Sequence, residues 1–91
     1  MSKPIQIGRR LQKRWPDLPE TQQERVEEII RALPDLIKNP HAHSGFGFRR
    51  IRGRAYYEAR IDLRWRLVMR IDEQAITLID VLNHDQVRRL G

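Results

Sequence analysis

Arg60, Arg66, His84 and Glu58 are the side chains of this sequence whose types and placing could do chemistry. The chain holds fifteen arginines against three lysines. An arginine offers a planar fork that matches phosphate oxygens, where a lysine offers a point charge. Arg60 lies in an alternating stretch, with Tyr57, Ala59 and Ile61 facing one way and Tyr56, Glu58, Arg60 and Asp62 the other. Arg66 lies in the next, with Trp65, Leu67, Met69 and Ile71 against Arg64, Arg66, Val68 and Arg70. If the two stretches pair as strands, Arg60 and Arg66 come close together, and crowded guanidiniums need an anion among them. Glu58, Asp62 or Asp80 could be that anion, and so could a phosphate from outside. The competing reading is a cross-strand ladder of ion pairs that serves the sheet alone. Glu58 is the one acid embedded in the Arg-rich strands, and so the one candidate carboxylate base. His84, just past an apolar stretch, could carry protons near neutral pH, or could simply be structural.

Other chemistries are missing. There is no Ser-centred elbow, no Cys–His pair and no carboxylate pair at convincing spacing. The absence of cysteine excludes disulfides, thiolate zinc sites and thiol chemistry, and fits a reducing cytoplasm. His41-x-His43 has the spacing of a metal pair, but two ligands on a loop are too few, so neither metal nor cofactor is expected. The glycines at 45 and 47 do not make a phosphate loop, because no Gly-Lys-Ser/Thr follows.

The elements that must position these residues follow from periodicity. Residues 3–7 read as a short strand and 8–15 as a basic helix with Ile7, Leu11 and Trp15 at spacing four. Pro16 and Pro19 break it. Thr21-x-x-Glu24 reads as a capping box opening a second helix, whose Val26, Ile29, Ile30 and Leu33 fall on one face. Pro34 ends or kinks that helix, with one further turn at Leu36 and Ile37. Residues 38–47 read as loop. Strands follow over 48–51, 55–62, 64–71 and 75–82, joined by turns at Arg52-Gly53 and at residues 72–74, with 75–82 apolar enough to be central. The tail from Asn83 turns helical. The expected fold class is α+β: a short N-terminal strand, two helices, then an antiparallel β-meander, with the helices packed on one sheet face. At 91 residues the chain is expected to form a single domain, 1–91.

The net charge of +6 is distributed in blocks. Residues 1–16 carry five positive charges and no negative ones, 17–37 carry net −4, 38–70 net +7, and 71–87 four negative charges and no positive ones. A +7 block on adjacent elements points to a polyanion partner, nucleic acid above all, against the plainer reading of a solubilising face. No apolar run approaches the ~20 residues of a membrane span, and no signal peptide is visible, so no membrane association is expected.

The order strand–helix–helix–meander, the Arg-Arg-Ile-Arg-Gly run before the meander, and the segments YYEARIDLRWRLVMRI and AITLIDVLNHD resemble the RelE/ParE toxin superfamily over most of the chain. The resemblance implies a type II toxin neutralised by a cognate antitoxin protein. In the RelE-like branch it implies a ribosome-dependent mRNA endoribonuclease, an mRNA interferase that inhibits translation. Arg60 and Arg66 fall on that branch's basic strand positions, Arg66 on the one that stabilises the scissile phosphate. His84 falls where it places an acid–base or phosphate-contacting group. Attack by the ribose 2′-OH then needs Arg60 and Arg66 on the phosphate, His84 as general acid with Asp80 orienting it, and Glu58 as the weaker candidate base. Arg49, Arg50, Arg52, Arg54, Arg64 and Arg70 are the candidates for binding RNA phosphates. Two departures, Glu58 where some members carry Lys and the absence of a late Tyr, leave room for the ParE branch, whose members inhibit DNA gyrase without nuclease activity. A basic domain that only binds RNA is the third reading. An acidic antitoxin segment, folding as it binds, is expected to cover the basic sheet and helix surfaces.

Overall fold

In the computed structural model, which describes residues 3–39, 41, 45–51 and 55–90, the apolar stripe lies on α2 (Glu20–Lys38), with Val26, Ile29, Leu33 and Leu36 fully buried. Ahead of it come β1 (Ile5–Ile7), α1 (Arg9–Arg14) and a 3-10 turn (Trp15–Asp17). After it come β2 (Arg49–Arg50), β3 (Tyr56–Arg60), β4 (Trp65–Ile71), β5 (Ile76–Asn83) and α3 (His84–Arg88). The five strands make one sheet in the order β1-β5-β4-β3-β2. The antiparallel meander runs from β2 to β5 as expected. β1 adds itself parallel to β5, so the sheet is mixed and β5 is internal. The helices between β1 and the meander supply the crossover that a parallel pairing needs.

One face of the sheet meets the helices. Leu11 of α1 and the α2 stripe pack with Ala59, Leu67, Met69, Ile76, Leu78 and Val81 in one core. Burying a side chain of this size contributes about 1.5–3 kcal/mol. Gly8 allows the closest approach: its N–H donates to the Leu78 carbonyl at 2.8 Å, and a Cβ there would lie 2.8 Å from that same oxygen.

Several expectations change. Thr21-x-x-Glu24 is not a capping box, because α2 starts two residues earlier, with Pro19 at its N-cap and no side-chain cap. The capping box is at α3, where the Asn83 carboxamide oxygen accepts from the Gln86 N–H and the Gln86 side chain accepts from the Asn83 N–H, each at 2.9 Å. Pro34 does not end α2: it is exposed, and burial of Leu33 and Leu36 beside it carries the helix to Lys38. A proline inside a helix costs about 3 kcal/mol, which two fully buried leucines can offset. The strand expected over 55–62 stops at Arg60, because the Asp62 carboxylate accepts from the N–H groups of Arg64 and Trp65 at 2.9 Å and turns the chain. The second sheet face is not uniformly Arg-rich, since Val68 and Leu82 are covered by Val87 of α3, with Ile51, Tyr56, Ile79 and Leu90 around them. The turn at Arg52-Gly53 lies outside the described residues.

Candidate functional site

Antiparallel register sets Arg60 of β3 opposite Arg66 of β4, and Arg49 of β2 opposite Glu58 of β3. The alternation that buries Ala59 and Leu67 against the helices turns these four side chains to the other face. Glu58 is only 4% exposed. Its Oε1 accepts from Arg49 Nε at 2.9 Å and lies 3.9 Å from Arg66 Nε. Arg66 is held further, its Nη1 donating to the Asp62 carbonyl at 2.7 Å and the Trp65 carbonyl at 3.1 Å. The Arg60 guanidinium has no ion-pair partner among the described residues.

These groups surround an open cavity of about 290 Å³ lined by Gly47, Phe48, Arg49, Glu58, Arg60 and Arg66. A water takes about 30 Å³ of liquid, so the space suits a group several times larger. Three guanidiniums against one carboxylate leave it at net +2, and arginine forks bind phosphate oxygens strongly. Gly47, with φ +56°, adopts the left-handed conformation that glycine tolerates best. A Cβ there would sit 3.5 Å from the Arg60 Cβ. Phe48 stacks on Tyr57 with centroids 5.5 Å apart and planes 8° from parallel. Gly47 and Phe48 were not singled out from the sequence as site residues; the one signal was a glycine immediately ahead of a basic strand.

The remaining candidates lie elsewhere. His84 is the first residue of α3, exposed, its backbone N–H donating to the Arg64 carbonyl at 3.2 Å, and it does not line the cavity. Asp80 does not orient His84. β5 ends at Asn83 and His84 opens α3, so strand alternation does not carry on to His84, and Asp80, 3% exposed, pairs with Arg14 of α1 at 2.9 Å. Nor is Asp80 or Asp62 the anion among the arginines: that is Glu58. The reading as a cross-strand ion pair holds for Arg49–Glu58, while Arg60 has no ion pair among the described residues. Arg50 and Arg64 are exposed and outside the lining, and Arg70 lies 3.8 Å from Asp72. Arg52, Arg54 and His43 lie outside the described residues. Among the described residues no group of three or more His, Asp or Glu could hold a metal ion, and no helix is long and apolar enough to cross a membrane.

Comparison with known proteins agrees with the fold. The ParE-like toxin domain, as a family, matches residues 24–87. Among solved structures, Escherichia coli YafQ in its complex with DinJ superposes with a TM-score of 0.69 at 11% identity, over 93% of this chain and 97% of that one. The YoeB dimer of Staphylococcus aureus gives 0.68 at 16%, over 92% and 99%. RelE with its antitoxin RelB from Methanococcus jannaschii gives 0.66 at 15%, over 93% and 96%. At these identities the likeness is one of fold. No curated protein matches the chain in sequence.

Proposed function

Because the chain belongs to the ParE-like toxin domain family, we propose that it is the toxin of a type II toxin–antitoxin pair and that its cavity takes an mRNA phosphodiester on the ribosome. The observation that carries this reading is Arg60 facing Arg66 across β3 and β4, with no ion pair at Arg60 among the described residues and a net +2 cavity beside it. The ribose 2′-OH is the nucleophile, so the protein need not supply one. It must gather the charge that builds on the phosphorane, and two guanidiniums aimed at the non-bridging oxygens do this. Attack forms the bond from the 2′-oxygen to phosphorus and breaks that to the leaving 5′-oxygen, giving a 2′,3′-cyclic phosphate and a 5′-OH. His84 at the head of α3 protonates the leaving oxygen. Glu58 is engaged by Arg49 and Arg66, so its part is to hold the arginines, and the 2′-OH gives its proton to solvent water as its oxygen bonds to phosphorus. The partner is an acidic antitoxin segment, a proposal supported by the RelE and YafQ relatives, which are seen in complex with RelB and DinJ.

The second reading, a gyrase inhibitor that acts by protein binding alone, is favoured by His84 lying outside the cavity lining. Two assays run side by side separate them. Cleavage of mRNA on programmed ribosomes with unaffected DNA supercoiling supports the first reading. Inhibited supercoiling with intact mRNA supports the second.

A further inference from the structure

Arg25 of α2 does not line the cavity, yet it bonds to two of the segments that form it. Its Nε donates to the Arg60 carbonyl at 3.0 Å and its Nη2 to the Gly45 carbonyl at 3.0 Å. Its Nη1 donates to Glu28 at 2.7 Å, and its Cζ stands 4.4 Å over the Phe46 ring. All three guanidinium nitrogens are thus committed, to three different segments. One of those segments ends in Arg60, and another leads from Gly45 through Gly47 and Phe48 to Arg49. The two walls touch where Gly47 backs onto Arg60, since a Cβ at Gly47 would fall 3.6 Å from the Arg60 Cζ. Arg60 has no ion pair of its own among the described residues, so its direction is set by its backbone and by that wall.

We propose that Arg25 is the positioning residue of this cavity: it fixes the Arg60 backbone and the 45–47 turn at one separation, so that the Arg60 guanidinium meets a phosphodiester together with Arg66. The assignment rests on the phosphodiester reading of the cavity. Arginine suits the task because its planar fork reaches acceptors in different directions while its face covers a ring. A lysine keeps the charge and loses the fork. Reacting groups displaced by about 1 Å lose on the order of 100-fold in rate.

The test uses the full chain with Arg25→Lys and Arg25→Ala. Amide exchange at Gly47 and Ile61 is read by NMR, thermal unfolding by calorimetry, and mRNA cleavage on programmed ribosomes in a single turnover. Both variants are expected to melt close to the wild type, to exchange the Gly47 amide faster, and to cleave about 100-fold more slowly. Free guanidinium, kept well below denaturing concentrations, should restore cleavage to Arg25→Ala and not to Arg25→Lys, whose ammonium fills the space. If Arg25→Ala does not fold, Arg25→Lys carries the test. Wild-type cleavage with unchanged Gly47 exchange would overturn the assignment. If the wild type itself cleaves nothing, the phosphodiester reading falls, and Gly47 exchange decides the positioning role: faster in the variants upholds it, unchanged removes it.

Discussion

Arg60 and Arg66 stand opposite each other across β3 and β4, but among the described residues only Arg66 is tied down, by the Asp62 and Trp65 carbonyls and the nearby Glu58 carboxylate. The pair therefore divides into a fixed guanidinium and an available one. Like charges directly opposite in a sheet are destabilising, so the arrangement has a cost in the free protein that an incoming anion removes.

Arg66→Lys is expected to keep the charge and the fold but to lose the fork and one of its two carbonyl anchors. Removal of one preorganised donor at a developing oxyanion costs about 100- to 1,000-fold in rate. Single-turnover cleavage on programmed ribosomes checks this, with circular dichroism to show that the sheet is intact. Arg66→Ala should abolish cleavage while leaving antitoxin binding largely in place.

His84→Ala should slow cleavage by about 100- to 10,000-fold. His84 is exposed and heads α3 under the Asn83–Gln86 capping box, so the substitution should leave the unfolding midpoint almost unchanged. Single-turnover cleavage by the two proteins, beside their thermal unfolding, reads the difference.

Gly47→Ala should destabilise the fold by about 1–2 kcal/mol, because a left-handed backbone at φ +56° puts a Cβ close to the neighbouring carbonyl. The nearest atoms of Arg60 lie at ordinary contact distance, 3.5–3.6 Å, so the cost is conformational. Gly47→Asn should recover part of it, since Asn tolerates this region. Urea unfolding of the three proteins checks the order.

Much of this was legible in the sequence. Period-two alternation placed Arg60 and Arg66 on one face, and the Val26–Ile29–Leu33 stripe assigned the helices to the other. What alternation cannot carry through is the end of a strand: β5 stops at Asn83, His84 opens α3, and Asp80 pairs with Arg14. The parallel pairing of β1 was hidden because three residues hold no signal of their partner's direction. Arg25 was invisible for a different reason: a charged residue beside a buried helix stripe reads as solvated, and only tertiary packing brings the Arg60 and Gly45 carbonyls within its reach.

The turn between β4 and β5 makes stability pH-dependent in a defined direction. The N–H groups of Ala75 and Gln74 donate to the Asp72 carboxylate and, with Arg70 and Lys3 nearby, hold its pKa below the ordinary 3.8. A carboxyl whose folded value is depressed adds stability that is fully present above 3.8 and is lost as pH falls through the lower folded value. Asp72→Asn keeps an acceptor for the turn and has no charge to lose. Urea midpoints followed from about pH 6 down to about pH 2 should therefore fall less steeply for Asp72→Asn than for the wild type.

Whether the Arg60–Arg66 cavity cuts RNA by 2′-OH attack is decided by the chemistry of the ends. Ribosomes carrying a defined mRNA are incubated with the wild type and with Arg60→Ala, and the fragments are mapped and their termini identified. Expected are 2′,3′-cyclic phosphate and 5′-OH ends with the wild type, and a loss of about 100-fold or more with Arg60→Ala at an unchanged fold by circular dichroism. Intact mRNA with the wild type, or equal cleavage by both proteins, would contradict cleavage by this cavity.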